Sequence, residues 1–344
     1  MQRHSIALLG DGRALSIIGE PISFGGMKRM PSSSVQNYLG PEQMEAAYTV
    51  TKAELTPTAR GPFAARVVSV QLDHLWLRRV HENAPRIKHA VHTPARAFMR
   101  FLTKPGPGLY IDGVAIAATA IARHSRAQSY YERSTGPVDW GAISLPVEHI
   151  ARAGAAIAGC DLAPPRDPLI VTPSSASMTR LQRLHAAIES LAVDAPEVIE
   201  NPGAAHGLEQ SLIEAMVDCL SDPTVREDRW AQQCHTTIIR RFRRLLEDNS
   251  ERALYIPEIC AAIGVPDRTL RMCCQEHLGM SPKQYLLLRR MNLANRALRG
   301  GVPAEITVTE VATRFGFWHF GRFATGYRSI FGELPSVSLN RPPD

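Results

Sequence analysis

Four residues at helical spacing carry the most specific chemistry in this chain. Arg268, Arg271, Met272 and Gln275 fall at i, i+3, i+4 and i+7, so a single helix face would present two guanidinium groups, a thioether and a carboxamide. Arg pairs bidentately with guanine O6 and N7, and Gln with adenine or a phosphate. Met offers only apolar contact, for example to a thymine methyl. The opposite set, Leu270, Cys273, Cys274 and His277, has the same spacing and should face a core. A second helix further on places Phe320, Phe323, Tyr327 and Phe331 inward and Gly321, Ala324, Thr325 and Arg328 outward, with His319 and Arg322 at the edge. Its outward face is nearly bare. Small residues permit close approach but offer few hydrogen bonds, and Arg328 fits a phosphate clamp. The first helix is therefore expected to discriminate bases and the second to position.

The elements that would hold these faces form a repeat. IPEICAAIGVPDRTLRMCCQEHLGMSP and VTEVATRFGFWHFGRFATGYRSIFGELP are one unit twice. Leu270, Cys274, Gly279 and Pro282 recur 53 residues later as Phe323, Tyr327, Gly332 and Pro335. Ile259, Cys260, Ile263 and Gly264 recur at a spacing of 52 as Val311, Ala312, Phe315 and Gly316, so the second turn is one residue longer. Each unit is a short helix with apolar residues at i and i+4, a small residue at i+1 for close approach, a Gly suited to a left-handed cap, and a second helix at once. That is the logic of a helix-turn-helix. Between the units, Ser281-Pro282 starts a connecting helix with the stripe Tyr285, Leu288, Met291, Asn295 and Leu298. About 25 Å of helix plus the flanking turns can hold two reading helices roughly 34 Å apart, one turn of B-DNA.

Charge points to the same place. Of 344 residues, 39 are Lys or Arg and 33 are Asp or Glu, a net +6. Residues 236–344 hold 15 Arg and one Lys against ten acidic residues, so the rest of the chain is neutral. A basic module behind a neutral one fits a polyanion at one end only. The run Arg240, Arg241, Arg243, Arg244 reads as a solvated helix surface.

From about residue 236 to 340 the chain resembles the DNA-binding domain of the AraC/XylS family of bacterial transcription regulators. RRMNLANRAL at 289–298 is similar to the family's connecting helix, and GFWHFGRFATGYRSIFGELPS at 316–336 to its second-motif signature. The resemblance implies base contacts at Arg268, Arg271 and Met272, although Met272 stands where a polar residue is common. It also implies RNA polymerase as a partner and an effector-responsive activator, with a repressor as the alternative.

Residues 1–60 read as irregular, with a short helix around Pro41 to Tyr48. Arg66–Leu72, Leu75–Val80, Ala97–Thr103, Leu109–Ile121 with its Asp112-Gly113 turn, Ala127–Arg133 and Val138–Leu145 read as strands of a small barrel or sandwich. Val147–Ala158 reads as helix. After Pro164-Pro165 and Pro168, two helical stripes follow: Met178, Leu181, Leu184, Ile188, Leu191 and Leu208, Leu212, Ala215, Met216, Cys219. They would pack within the chain or form a homodimer seam. The expected class is α+β: a β-barrel, cupin-like sensor domain with flanking helices at 1–165, a helical linker at 166–233, and an all-α double helix-turn-helix domain at 234–344. A small-molecule effector would sit in or beside the barrel, with Trp76, Tyr110, Tyr130, Tyr131 and Trp140 as candidate lining.

Other chemistries fit less well. The longest small or apolar stretch, Gly113–Ala122, is ten residues against about 20 for a membrane span. The Ile6–Leu9 patch is below a signal-peptide core, so a cytoplasmic protein is expected. None of the six cysteines forms a C-x-x-C pair. DNA-repair alkyltransferases with a related module need an early reactive cysteine, and the first here is Cys160. His81, His89 and His92 are the one candidate metal cluster, which would make the chain a barrel enzyme fused to a DNA-targeting module. Their spacing matches no metal motif. No phosphate loop or nucleophile elbow is present, and neither enzyme activity nor a cofactor is expected.

Overall fold

The computed structural model describes residues 30–48, 51–125, 129–165, 168–221, 226–229, 233–249 and 254–341. The Ile6–Leu9 patch lies outside them. In chain order the amino-terminal elements are β1 (Ser32–Tyr38), α1 (Pro41–Ala46), β2 (Thr51–Pro57), β3 (Ala65–Gln71), β4 (Trp76–Glu82), β5 (Arg86–His92), β6 (Arg96–Leu102), β7 (Leu109–Ile111), β8 (Val114–Ala115), β9 (Ile121–Arg123), β10 (Ser129–Ser134) and β11 (Val138–Pro146). Then come α2 (Val147–Ala153), a π-helical turn (Gly154–Ala158), β12 (Leu169–Thr172), α3 (Ser175–Asp194), α4 (Pro196–Glu200), α5 (Pro202–Ser221) and β13 (Arg226–Arg229). The remainder is helical: α6 (Gln233–Asp248), α7 (Ile256–Ile263), α8 (Asp267–Leu278), α9 (Pro282–Arg299), α10 (Val308–Arg314), α11 (Phe320–Phe331) and α12 (Pro335–Leu339).

The α+β layout stands, but the strands form two open sheets and not a closed barrel. One runs β1-β3-β4-β11-β6-β9-β12-β13 and the other β2-β5-β10-β7-β8. Two separate sheets form because no ladder joins an edge of one to an edge of the other among the described residues. The first is antiparallel throughout, with Trp140 opposite Val80 on one side and Leu102 on the other. Its strands alternate with the pleat. Val68, Val70, Leu77, Met99, Phe101, Ile143 and Leu145 turn to α3 and α5 in one core. Val67, Val80, Leu102, Trp140 and Ala142 turn to the second sheet, where they meet Leu55 and Leu109.

The two helical stripes are satisfied inside the chain. Ser174 caps α3, its Oγ accepting from the Ser177 amide at 3.2 Å. Met178, Leu181, Ile188, Leu212, Ala215, Met216 and Cys219 are buried against the first sheet, while Leu184, Leu191 and Leu208 are half-buried beside them. The position next to Leu184 is taken by His185, which is fully buried over Gly141 with Nε2 3.1 Å from the Arg78 carbonyl oxygen. The segment 166–233 also supplies β12 and β13 to the first sheet. No helix among the described residues is long and apolar enough to cross a membrane.

Burial, reinforced by the nearby Arg79 charge, pushes the His185 imidazole down to about 3. The unfolded chain protonates this residue near 6.5, so its contribution to stability is complete above that pH and is lost as pH falls. Between pH 7 and pH 5 the loss from this one group is about 2 kcal/mol. Urea unfolding of the parent and of His185→Gln should therefore show the stability gap between them shrinking by about that amount over the same interval. A gap independent of pH would contradict the assignment.

Candidate nucleic-acid interface

The first helix-turn-helix unit is α7 and α8. Glu258 closes the start of α7 by accepting from the Tyr255 amide at 2.9 Å. Gly264 ends it at φ 71°, a left-handed cap at which its amide donates to the Cys260 carbonyl at 3.0 Å. Ile259, Ile263, Leu270, Cys273, Cys274 and Leu278 form the core, completed by Ile239, Phe242 and Leu246 of α6 and by Tyr285 of α9. Arg268, Arg271, Met272 and Gln275 are all exposed on α8, as the spacing predicts. Met272 exposes 52% of its surface, a conspicuous value for an apolar side chain. Arg271 is held by its own helix: Nε and Nη2 donate to the two Asp267 carboxylate oxygens at 3.0 and 2.6 Å. Cys273 and Cys274 lie in the core. Burial pushes the Cys273 thiol up to about 11 and Cys274 further up, which leaves neither as a thiolate.

The second unit is α10 and α11. Thr307 and Glu310 form a reciprocal capping box at 3.1 and 2.8 Å. Val311, Ala312, Phe315, Phe317, Phe323, Tyr327 and Leu339 pack with Met291, Ala294 and Leu298 of α9. Gly326 permits that approach, since a Cβ there would meet Met291 Cε at 3.0 Å. His319, Gly321, Arg322, Thr325 and Arg328 are exposed, and Thr325 Oγ1 donates back to the Gly321 carbonyl at 2.9 Å. Phe320 departs from expectation. It is 45% exposed because α11 begins at that residue, so its first turn projects beyond the core and the inward stripe starts at Phe323. Trp318, which the sequence reading passed over, is 64% exposed. Trp318, His319 and Phe320 together form an aromatic tip at the start of α11. Four ring-bearing residues, Phe317 to Phe320, crowded between Gly316 and Gly321 were the available signal.

Helix α9 joins the units. Ser281 and Gln284 form its capping box at 3.3 and 3.1 Å. Tyr285 and Leu286 belong to the first core, and Met291, Ala294 and Leu298 to the second. Asn295 Nδ2 donates to the Tyr327 hydroxyl at 2.6 Å, Tyr327 donates to Ser338 Oγ at 2.7 Å, and Ser338 donates to Glu333 at 2.6 Å.

A third surface of α9 meets the amino-terminal half, a contact that no spacing along one helix encodes. Arg289 Nε lies 3.6 Å from Glu54, Arg296 Nη2 2.6 Å from Glu45, and Arg299 Nη1 3.1 Å from Glu42. Arg296 also donates to the Leu55 carbonyl at 3.2 Å. Burial, partly opposed by Arg296, raises the Glu45 carboxyl to about 7. The outer face of the second sheet continues this contact, with Ile87 and Tyr131 joining the core of the first unit.

The histidines do not converge. His81 pairs with Asp139 at 3.3 Å, His89 lies against Tyr131 and faces Glu247 of α6, and His92 stacks on Phe98 between the sheets. Neighbours three apart on a strand point to opposite faces, so His89 and His92 cannot share a ligand. Among the described residues no cluster of three metal-ligating side chains exists. Of the aromatic residues considered for a pocket, Trp140 and Tyr130 face the space between the sheets. Tyr131 faces the first unit, Tyr110 lies under Arg133, and Trp76 is half-buried near Phe98.

Residues 259–341 match a family model described as a helix-turn-helix domain. Over 98 residues the chain is 38% identical to the probable thc operon regulatory protein of Rhodococcus erythropolis, covering 28% of this chain and 30% of that protein. Over 126 residues it is 32% identical to the XylDLEGF operon transcriptional activator 3 of Pseudomonas putida, covering 37% of each. The matches thus span about a third of these relatives' length. Among solved structures, the AraC-like transcriptional activator CuxR aligns over 76% of this chain and 95% of its own at 12% identity with a TM-score of 0.40. ToxT from Vibrio cholerae aligns over 84% and 97% at 10% identity with a TM-score of 0.26. The carboxyl-terminal module is a helix-turn-helix domain of the AraC/XylS type.

Tyr327→Phe should test the hydroxyl chain that ties α9 to α11 and α12. It leaves the buried Asn295 amide without its acceptor and should cost about 1–3 kcal/mol in denaturant unfolding. A loss near zero would mean the chain contributes only packing.

Proposed function

We propose that this chain is a sequence-specific DNA-binding transcription regulator acting in the bacterial cytoplasm, with α8 and α11 in successive major grooves. The observation that carries this reading is the pair of helix-turn-helix units that share α9 and leave their predicted reading faces exposed. Arg268, Arg271, Met272 and Gln275 make the base contacts. Arg271 exchanges its Asp267 pair for a guanine edge, a small cost for an exposed i,i+4 pair. On α11, His319, Gly321, Arg322, Thr325 and Arg328 position the module on phosphates. Relatives named as transcriptional activators favour activation, with RNA polymerase as partner, and the sensor half takes a small-molecule effector.

Binding selection on random duplex DNA with the full chain tests this reading and should return one preferred site. Arg268→Ala should then lose about 1–3 kcal/mol on that site and relax its base preference. Arg328→Ala should weaken all sequences alike and flatten the salt dependence. Equal selectivity in the parent and Arg268→Ala would overturn the face assignment.

Regulation runs through the ion pairs on α9. Holding Arg289, Arg296 and Arg299 against glutamates restrains the helix that sets the spacing of the two units and cancels part of the module's positive field. Glu45→Arg and Arg296→Glu should each alter affinity for the selected site by about threefold or more, Glu45→Arg upward, and the double swap should return it toward the parent value. Were all three indistinguishable from the parent, the contact would be passive packing.

A further inference from the structure

The turns of the two helix-turn-helix units are built differently. In the first, Gly264, Val265 and Pro266 separate α7 from α8, and the Pro266 ring fixes its own φ at −64°. In the second, the path from the glycine to the reading helix is one residue longer, Gly316 to His319, and holds no proline. The His319 side chain makes no capping bond to α11. The Gly316 and Phe317 amides donate to the Thr313 and Ala312 carbonyls at 2.9 Å each. Those bonds close α10 and do not aim α11. A side chain of the shared rod does. Arg290 Nη1 donates to the Gly316 carbonyl at 3.3 Å. Its guanidinium lies over the Phe317 ring, with Cζ 5.1 Å from the centroid. Phe317 in turn packs on Phe323, the first inward residue of α11, at 4.8 Å between centroids. Burial pulls the pKa of this guanidinium down, opposed by the Tyr255 phenol at the start of α7. Arg290 therefore lies where the two units meet.

Stability is a poor reason for an arginine here. Its Nε is buried without a partner, and a buried donor left unmet is destabilising. What the contact supplies is direction. One base pair of B-form duplex moves the second groove by about 3.4 Å and turns it by about 34°. One added residue of chain spans up to about 3.3–3.6 Å. The slack of the longer turn and an error of one base pair are thus the same size. We propose that Arg290 sets the spacing at which this chain reads two half-sites. By holding the Gly316–Phe317 turn to α9 it removes the slack and fixes α11 against α8, so that the chain selects duplexes with one separation between the stretches its two units contact. Arg290 is a positioning residue and touches no base. Separation is a property of the duplex that neither reading face senses alone. The inference rests on the regulator reading, because spacing has meaning only for a chain that reads two grooves.

Spacing variants of the selected site supply the test, with the full chain and duplexes in which one base pair is inserted or deleted between the two half-sites. The parent should lose about tenfold or more in affinity on either variant. Arg290→Met keeps an apolar stem and removes the unmet donor, so it should fold about as stably as the parent. On the selected site it should bind within about threefold of the parent, and its discrimination between spacings should fall to about threefold or less. Arg290→Lys keeps a donor for the Gly316 carbonyl but loses the planar fork, and should fall between the two. Phe317→Leu keeps an apolar filler and removes the ring under the guanidinium. It should relax spacing in the same direction and carries the test if Arg290→Met does not fold. Without DNA, amide exchange over residues 316–320 should run about tenfold or more faster in Arg290→Met, with α8 unchanged. Spacing discrimination in Arg290→Met equal to the parent's would overturn the inference. So would an equal loss at every spacing with a flatter salt dependence, which would make Arg290 a phosphate contact. A parent that selects a site but binds all three spacings alike removes the inference and leaves the regulator reading. A parent that selects no DNA site removes both.

Discussion

Helix α9 has to satisfy three surfaces at once, and the geometry of the carboxyl-terminal half follows from that. Its first turns give Tyr285 and Leu286 to one core, its later turns give Met291, Ala294 and Leu298 to the other, and Arg289, Arg296 and Arg299 face the glutamates of α1 and β2. A rigid rod shared by two cores makes the units one body. Neither unit can rotate without giving up buried apolar contacts worth about 1.5–3 kcal/mol for each large side chain. The Asn295–Tyr327–Ser338 chain pins the far end by direction as well as by area. Anything that moves α9 therefore moves both α8 and α11.

The second sheet is the complementary constraint. A strand exposes alternate residues to opposite faces, so β5 and β10 present one chemistry to the space between the sheets and another to the helices beyond. Ile87 and Tyr131 are as much part of the first unit's core as Phe242 is. Lys88 and Glu132, one residue further along each strand, pair with each other across the same sheet on its inner face. The amino-terminal half and the helix-turn-helix module accordingly share a wall, and their relation is set by side-chain packing and not by a linker's reach.

The parts legible in the sequence were those whose signal is local. The repeat at 52 and 53 residues, the capping residues Ser281 and Thr307, and the exposed set on α8 all follow from spacing along one helix. β3, β4, β6 and β11 were legible because their residues alternate or run apolar. β5 was not, since Arg86, Lys88 and His92 read as surface residues although all three are buried. A polar interior inverts the hydrophobic pattern on which strand assignment rests. β1, a Ser-rich edge strand that is mostly exposed, gives no apolar alternation either. The closed barrel failed because closure is a property of edge pairing, which no single strand encodes. The three Glu–Arg pairs join residues more than 200 positions apart, and no spacing rule connects them.

The two reading helices differ in a way that bears on how the proposed regulator divides its work. On α8 the exposed side chains are long and carry directional donors, and discrimination between bases requires reach and hydrogen-bond geometry. On α11 the exposed set behind Phe320 is Gly321, Arg322, Thr325 and Arg328, with Thr325 already donating to its own helix. That face lets the backbone come close but has little with which to distinguish one base edge from another. The aromatic tip of Trp318 and Phe320 changes the balance at the end of the helix alone: on a duplex, large exposed rings would meet sugars and thymine methyls through apolar area, a coarse form of selection. Because α9 fixes the spacing of the units, sequence choice made through α8 dictates where α11 lands. In the proposed regulator the second unit would then add affinity wherever the first has found its site, with no need of specificity of its own.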